Sequence, residues 1–285
     1  MAPLLIVKAP AKINPVLEVL GKRPDGYHEL SLLFQTIGLH DVLTFQHSNE
    51  GLRLECPGAP AGVTNDDSNL VVKAANLFLK EYPQRQGVNI HLTKNIPVAA
   101  GLGGGSSDAA ATLKGLNSLF QTHLSEERLQ GLAEQLGSDV PFFLKGGTAW
   151  GLGRGEKIAS LLPGPKMDLV LVKPDQGLST PAVYQSGKAQ FTRGERTRQY
   201  LIFLREKRLP YLAGSLFNGL EPAAFSLMPE VESLKKQLLK AGALGALVSG
   251  SGPTVFGIAG SPSEAETIAG KMRGEGRKVF ITKTI

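Results

Sequence analysis

PVAAGLGGGSSDAA, residues Pro97 to Ala110, sets four glycines (Gly101, Gly103, Gly104 and Gly105) among five positions, then two serines and a run of alanines. Glycine has no side chain, so such a run lets main-chain N–H groups come close to a ligand and take up positive φ angles, at a cost in conformational entropy. The run stops at SSDAAATLKGLNSLF, where Ala109, Leu113, Leu116 and Phe120 recur at the spacing of a helix with one apolar face. Gly105, Ser106 and Ser107 are therefore the candidates for the helix start. Unpaired N–H groups of a first helical turn and the positive end of the helix dipole form an anion site, and preceding glycines let phosphate oxygens reach it. The stretch reads as a phosphate cradle. Its competing reading is a glycine-rich surface turn closed by a serine N-cap. Upstream, GVNIHLTKNIPV alternates Val88, Ile90 and Leu92, so the glycine loop joins a strand to a helix.

Spacing removes two better-known phosphate loops. A Walker loop needs a Gly-Lys pair followed by Ser or Thr, and none of Gly21-Lys22, Gly187-Lys188 and Gly270-Lys271 is. A dinucleotide fingerprint counted from Gly101 through Gly103 finds Ser106 where its last glycine belongs.

The remaining composition is that of an ordinary globular chain: 285 residues, 42% apolar and 20% charged, enough for one large core or two smaller ones. The single cysteine, Cys56, excludes an internal disulfide and fits a reducing compartment. No signal-like segment precedes PLLIVKAP and no apolar run approaches membrane-spanning length, so the expectation is a cytoplasmic protein without a membrane partner. A net charge of +6 favours anionic partners. The one dense basic cluster, Arg193 to Arg208, interleaves with Glu195 and Glu206, and reads as a solvated helix face or a mobile surface segment rather than a nucleic-acid site.

Along the chain, LLIVKAPAKINPVLEVLGKR alternates short apolar runs with breakers, as paired strands do, and PDGYHEL supplies a turn. VLTFQHS and LRLEC read as further strands, and DDSNLVVKAANLFLKEY as a helix capped by Ser68. SEERLQGLAEQLG is a second helix after the glycine loop, and SDVPFFLKGGTAWGLGRGEKI a loop passing into strands. Pro and Gly gather at SLLPGPK, which sets the expected domains at residues 1–160 and 161–285. MDLVLVKP then reads as a strand, PEVESLKKQLLKAG as a helix, and the last forty residues as strand, turn, strand, helix, strand. Strands and helices mix without regular alternation, so the fold class is α+β. Pro15 lacks a ladder donor, which predicts an edge or a bulge there.

PAKINPVLEVLGKRPDGYHEL, PVAAGLGGGSSDAA and SGSGPTVFG, in that order and across nearly the whole chain, resemble the three motifs of the GHMP small-molecule kinases. The resemblance implies two lobes, an N-terminal ATP-binding domain like a ribosomal-protein S5 domain 2 and a ferredoxin-like C-terminal domain, with substrates between them. With Ala-Lys-Ile-Asn, Asp-Gly-Tyr-His and GSDVPFF added, it implies ATP-dependent phosphorylation of the 2-hydroxyl of the methylerythritol portion of a cytidine diphosphate conjugate. Its rivals are another kinase of the family, acting on mevalonate, homoserine or a sugar, and a non-catalytic nucleotide-binding protein on the same fold.

Carried over residue by residue, the resemblance makes Asp139 the catalytic aspartate that orients the hydroxyl and accepts its proton, against a turn- or helix-capping role beside Val140-Pro141. Lys12 is the active-site lysine that keeps Asp139 ionised and offsets charge on the oxygens. Tyr27 and Tyr184 would lie against the two faces of cytosine, His28 on its edge, with Thr180 shaping the loop; Asn14, two residues from Lys12 on a strand, would bond the methylerythritol hydroxyls. Asn69, Leu70 and Lys94 belong near adenine, and Pro97 and Gly101 through Ser107, Leu102 included, near the triphosphate. Mg²⁺ is expected with ATP. Asp108 stays ambiguous, since it suits the helix dipole but repels phosphate unless it points away or meets a metal. The turn at Gly250 to Gly252 either closes against the first glycine loop or is only a tight hairpin.

Overall fold

The computed structural model describes residues 4–60, 62–83 and 87–285. It divides into two compact units. The first takes Met1–Ala11, Leu39–Val98 and Gly103–Gly146, and the second takes Lys12–Gly38, Ala99–Leu102 and Gly147–Ile285. Strands β1 (Leu5–Lys22) and β2 (His28–Ser48) contribute residues to both.

In the first unit β3 (Leu52–Glu55) is parallel to β4 (Gly87–Thr93) once α1 (Leu70–Glu81) has carried the chain across, and β4 runs antiparallel to Val42–Ser48 of β2. The predicted alternation of β4 holds: Val88, Ile90 and Leu92 are buried between exposed Asn89 and Thr93. Helices α2 (Gly104–Leu119), α3 (Glu126–Leu136) and α4 (Val140–Lys145) complete the unit. The apolar face of α2 is the expected one, with Ala109, Leu113, Leu116 and Phe120 all buried. Gly115 sits on that face because a Cβ there would stand 2.5 Å from the Phe45 ring of β2. The close approach of helix to strand offsets the ~1 kcal/mol that a mid-helix glycine costs.

Two sequence expectations change here. The cap of α1 is Asn69, whose side chain accepts from the Val71 N–H at 2.9 Å, while Ser68 is drawn into a turn by Asp66, which accepts from both its N–H and its hydroxyl. VPFFLK is not loop but α4, because a proline in the first turn of a helix removes an N–H that has no intrahelical acceptor anyway.

In the second unit β5 (Thr148–Gly153) pairs antiparallel with Leu30–Gln35 of β2 and with β6 (Lys157–Ser160). After β7 (Asp168–Pro174) come α5 (Thr180–Gln185), α6 (Glu195–Glu206), α7 (Leu209–Gly214), β8 (Phe217–Asn218), α8 (Glu221–Leu227), α9 (Pro229–Ala241), β9 (Gly245–Val248), β10 (Val255–Ala259), α10 (Pro262–Met272) and β11 (Arg277–Lys283). The four strands β7, β9, β10 and β11 form an antiparallel sheet ordered β11-β7-β10-β9. With α9 between its first two strands and α10 between its last two, this is the ferredoxin-like arrangement. Val170, Val172, Leu234, Leu238, Ile268 and Met272 share its core.

LLIVKAPAKINPVLEVLGKR is one continuous strand of 18 residues rather than a pair. Pro15 falls one residue before the parallel pairing of Val16 and Leu17 with β8, so the proline lies outside that ladder. The basic segment is α6, with Thr197, Tyr200 and Leu204 buried and Arg196, Arg198 and Arg205 exposed, a solvated helix face. Its N-terminus is capped from afar: Glu18, fully buried on β1, accepts from the N–H groups of Arg196 (3.1 Å) and Thr197 (2.8 Å) and from the Thr197 hydroxyl (2.6 Å). Among the described residues no helix is long and apolar enough to cross a membrane.

Candidate active site

The first unit supplies the helix start and a buried charge cluster. α2 begins at Gly104, with Gly103 in the left-handed region (φ +71°) as its N-cap, and the Ser107 N–H donates to the Gly103 carbonyl at 2.9 Å. Ser106 and Ser107 therefore lie inside the helix and neither is its cap. Glycine can take the αL conformation, so the helix starts two residues earlier than the serines suggest. The Ser107 hydroxyl donates to the Pro10 carbonyl on β1 at 2.7 Å, which ties the first turn down. The N–H groups of Gly104, Gly105 and Ser106 have no acceptor within the helix, as first-turn donors never do.

Leu70 and Lys94 are both brought to that turn. A Cβ on Gly105 would meet Leu70 Cδ1 at 3.4 Å, and one on Gly104 would meet Lys94 Nζ at 3.3 Å. Asn69 caps α1 and donates to the Thr64 carbonyl at 2.7 Å, so both ends of its amide are engaged locally. Pro97 precedes the turn and is partly exposed.

Lys94 Nζ pairs with Asp41 and, at 2.7 Å, with Asp108; the three side chains are 5%, 0% and 4% exposed. Asp41 also accepts from the Asn95 and Ile96 N–H groups. The ambiguity over Asp108 is thereby resolved, since it faces Lys94. Burial pushes the Asp108 carboxyl up to about 7, with Lys94 opposing and Asp41 adding to the rise. Burial alone would lower the Lys94 ammonium, but the two carboxylates outweigh it and raise it. The folded chain therefore keeps on Asp108 a proton that the unfolded chain releases near pH 4. Linkage then makes this group's contribution to stability decline as pH rises from about 4 to about 7. Asp108→Asn should flatten that decline, read from urea midpoints at a series of pH values across the window. An unchanged slope in the variant would remove Asp108 as its source.

Asp139 stands at the N-cap position of α4, with no side-chain hydrogen bond to the first turn of that helix. Lys114 of α2 anchors the other end of α4, donating to the carbonyls of Phe143 (3.0 Å) and Leu144 (3.4 Å). No sequence signal marks Lys114, because its partners are main-chain atoms 29 and 30 residues away.

The second unit holds Lys12 and Asn14, buried on alternate positions of β1. Lys12 Nζ donates to Asn14 Oδ1 at 2.5 Å and lies 5.9 Å from the centre of the Phe34 ring, and Asn14 Nδ2 donates to the Leu33 carbonyl at 3.0 Å. The Lys12 N–H donates to the Leu102 carbonyl at 3.0 Å. Gly101 (φ +73°) is packed so tightly that a Cβ would fall 2.1 Å from the Ser249 carbonyl oxygen, and the Ser249 hydroxyl donates to the Gly101 carbonyl at 2.9 Å. The turn between β9 and β10 therefore closes against Ala99–Leu102, besides being a hairpin. At Gly250 a Cβ would meet Lys12 Nζ at 3.1 Å, the Gly101 carbonyl oxygen at 3.2 Å and Asn14 Oδ1 at 3.4 Å.

An aromatic group forms elsewhere in this unit. His28, buried, has its ring centre 5.3 Å from that of Tyr184 and 6.3 Å from that of Phe191. Burial, then the charge of Lys22, lower the His28 pKa, which favours the neutral ring with one donor and one acceptor. Tyr27, at 56% exposed, is placed under the Arg154 guanidinium, 4.9 Å from its ring centre. Thr180 opens α5 and shares a hydrogen bond of 2.8 Å with the Ser251 hydroxyl. Phe191 escaped sequence reasoning because it lies in an irregular stretch without periodicity.

The models for the GHMP kinases N terminal domain and the GHMP kinases C terminal domain match residues 69–147 and 202–278. A 4-diphosphocytidyl-2-C-methyl-D-erythritol kinase of Pelotomaculum thermopropionicum is 46% identical over 97% of this chain and 96% of that protein. A crystal structure of a 4-(cytidine 5'-diphospho)-2C-methyl-D-erythritol kinase, 35% identical, superposes with a TM-score of 0.82 over 98% of this chain and 99% of that one. A homoserine kinase from Cytophaga hutchinsonii, at 22% identity and a TM-score of 0.79 over 99% of this chain and 95% of that one, shares the fold alone.

Proposed function

From a chain that belongs to the GHMP kinases, and among them to the 4-diphosphocytidyl-2-C-methyl-D-erythritol kinases, we infer an ATP-dependent transfer of the γ-phosphoryl group to the 2-hydroxyl of 4-diphosphocytidyl-2-C-methyl-D-erythritol. The observation that carries the choice of acceptor is the near-full-length similarity to kinases of that substrate. The grouping of His28, Tyr184 and Phe191 supports it, because a base needs an aromatic platform and an in-plane polar group, which mevalonate and homoserine do not.

In the reaction the acceptor oxygen forms a bond to the γ-phosphorus as the bond to the β,γ-bridging oxygen breaks, and ADP leaves. Asp139 orients the hydroxyl and takes its proton; a weak base suffices where proton loss comes late in a loose transition state. Lys12 offsets negative charge on the reacting oxygens, and Asn14, which holds its ammonium, bonds the acceptor's hydroxyls. Gly101 through Ser107, with Leu102 as apolar backing and Pro97 leading in, receive the triphosphate at the start of α2. Leu70 lines the adenine, with Asn69 and Lys94 beside it. His28 reads the cytosine edge, Tyr184 and Tyr27 its faces, and Thr180 shapes the loop that carries Tyr184.

Mg²⁺ comes as part of the nucleotide substrate and neutralises charge on the phosphate oxygens. Asp108 is committed to Lys94, and among the described residues no group of three or more His, Cys, Asp or Glu side chains is placed to hold a metal. The lone Cys56 suits a reducing compartment, and we place the enzyme in the cytoplasm.

The test is ADP release with Mg-ATP and 4-diphosphocytidyl-2-C-methyl-D-erythritol, beside mevalonate and homoserine. Turnover with the cytidine conjugate alone is expected. Turnover with either other alcohol instead would keep the kinase and overturn the base site, and ATP binding without turnover on any acceptor would leave only a binding protein.

A further inference from the structure

β8 is two residues long, yet it ends on one of the most heavily bonded side chains of the second unit. Asn218, 3% exposed, donates through Nδ2 to the carbonyls of both Val248 and Gly250, each at 2.8 Å, and accepts through Oδ1 from the Leu220 N–H at 2.9 Å. Its own backbone is fixed by β1: Asn218 stands opposite Leu17, and the next N–H, of Gly219, donates to the Leu17 carbonyl at 2.8 Å. The neighbouring Glu221 adds a bond from the Val248 N–H at 3.1 Å. One carboxamide thus joins the strand that carries Lys12 to both ends of the Ser249–Gly250 corner.

That corner lies against the proposed catalytic lysine. Gly250 (φ +57°) leaves 3.1 Å between its Cβ position and Lys12 Nζ, and 3.4 Å to Asn14 Oδ1. The carbonyl of the same Gly250 is held by Asn218, so the backbone of the corner is fixed where it passes the ammonium. Across a planar trans peptide the C=O and the following N–H point in opposite directions. Holding the Gly250 carbonyl therefore also fixes where the Ser251 N–H points.

We propose that Asn218 is a positioning residue for phosphoryl transfer: its carboxamide sets the Ser249–Gly252 turn so that Lys12 stays on Asn14 and the Gly101 carbonyl stays in register. The proposal rests on the kinase reading above. Nothing in the local sequence FNGLE announces it, since the bonded carbonyls are 30 and 32 residues away.

Two variants test it. Asn218→Asp keeps the shape and the acceptor for Leu220 but turns an oxygen toward two carbonyl oxygens, and Asn218→Ala removes the side chain. With Mg-ATP and the cytidine conjugate, both should lose ~10- to 100-fold in kcat, the effect of a small misplacement of a reacting group, with the KM for ATP within ~3-fold of the parent. For Asn218→Asp, the ratio of variant to parental kcat should rise as pH falls from about 8 to about 5.5, because a protonated carboxyl donates again, while the ratio for Asn218→Ala stays flat. A lowered Tm with kcat per folded site within ~2-fold of the parent, and no pH-dependent recovery, would make Asn218 a scaffold residue only and overturn the proposal. Should neither variant fold, Asn218→Ser, which donates one hydrogen bond, is judged by the same kcat criterion. A parent inactive on the cytidine conjugate would overturn the kinase reading and the proposal together, whereas loss confined to the variants leaves the reading standing.

Discussion

Asp139→Asn is expected to fold with a parental melting temperature and to lose ~10²- to 10⁴-fold in kcat, with KM for both substrates little changed. The expectation has two parts. The side chain makes no capping hydrogen bond to α4, so the amide removes none, and α4 is also held by Lys114 at its far end. The chemistry, by contrast, needs an acceptor for the hydroxyl proton, and an amide in the same shape can orient the hydroxyl but cannot take that proton. Steady-state ADP release with a parallel thermal melt separates these parts. A folded Asp139→Asn protein with near-parental turnover would reject Asp139 as the base and reopen the search within the first unit.

Lys94→Met should have the largest effect on stability. The ammonium is the only cation bonded to Asp41 and Asp108 among their described partners, and all three side chains are 5% exposed or less. Removing one partner of a buried charge group strands the others, at a cost of about 3–5 kcal/mol. Asp41 keeps the N–H groups of Asn95 and Ile96, so the strain falls chiefly on Asp108. Because Asp108 already titrates at about 7, it can shed its charge by protonation. The penalty should therefore be smaller at pH 5 than at pH 8, a difference readable in urea unfolding. If stability falls by less than ~1 kcal/mol at both pH values while ATP affinity drops, Lys94 is first a nucleotide contact and the cluster a minor support.

Much of this molecule was legible in one dimension. Burial with period two in Val88, Ile90 and Leu92, and with helical period in Ala109, Leu113, Leu116 and Phe120, is set by neighbours a few residues apart, and both patterns stand as read. The three glycine- and lysine-bearing motifs pointed to the kinase family for the same reason: each is a local geometry that few residue types allow. Tertiary structure decided the rest. Whether Ser68 or Asn69 caps α1, and whether α2 starts at a serine or at Gly103, turned on which backbone conformations the packed chain adopts. Asp108, Lys114, Glu18 and Asn218 each bond to partners 14 to 179 residues distant, and a short strand such as β8 exists only because β1 lies beside it. A hydrogen bond between distant residues leaves no periodic trace in the chain, since its free energy depends on desolvation and alignment that arise only when the elements meet.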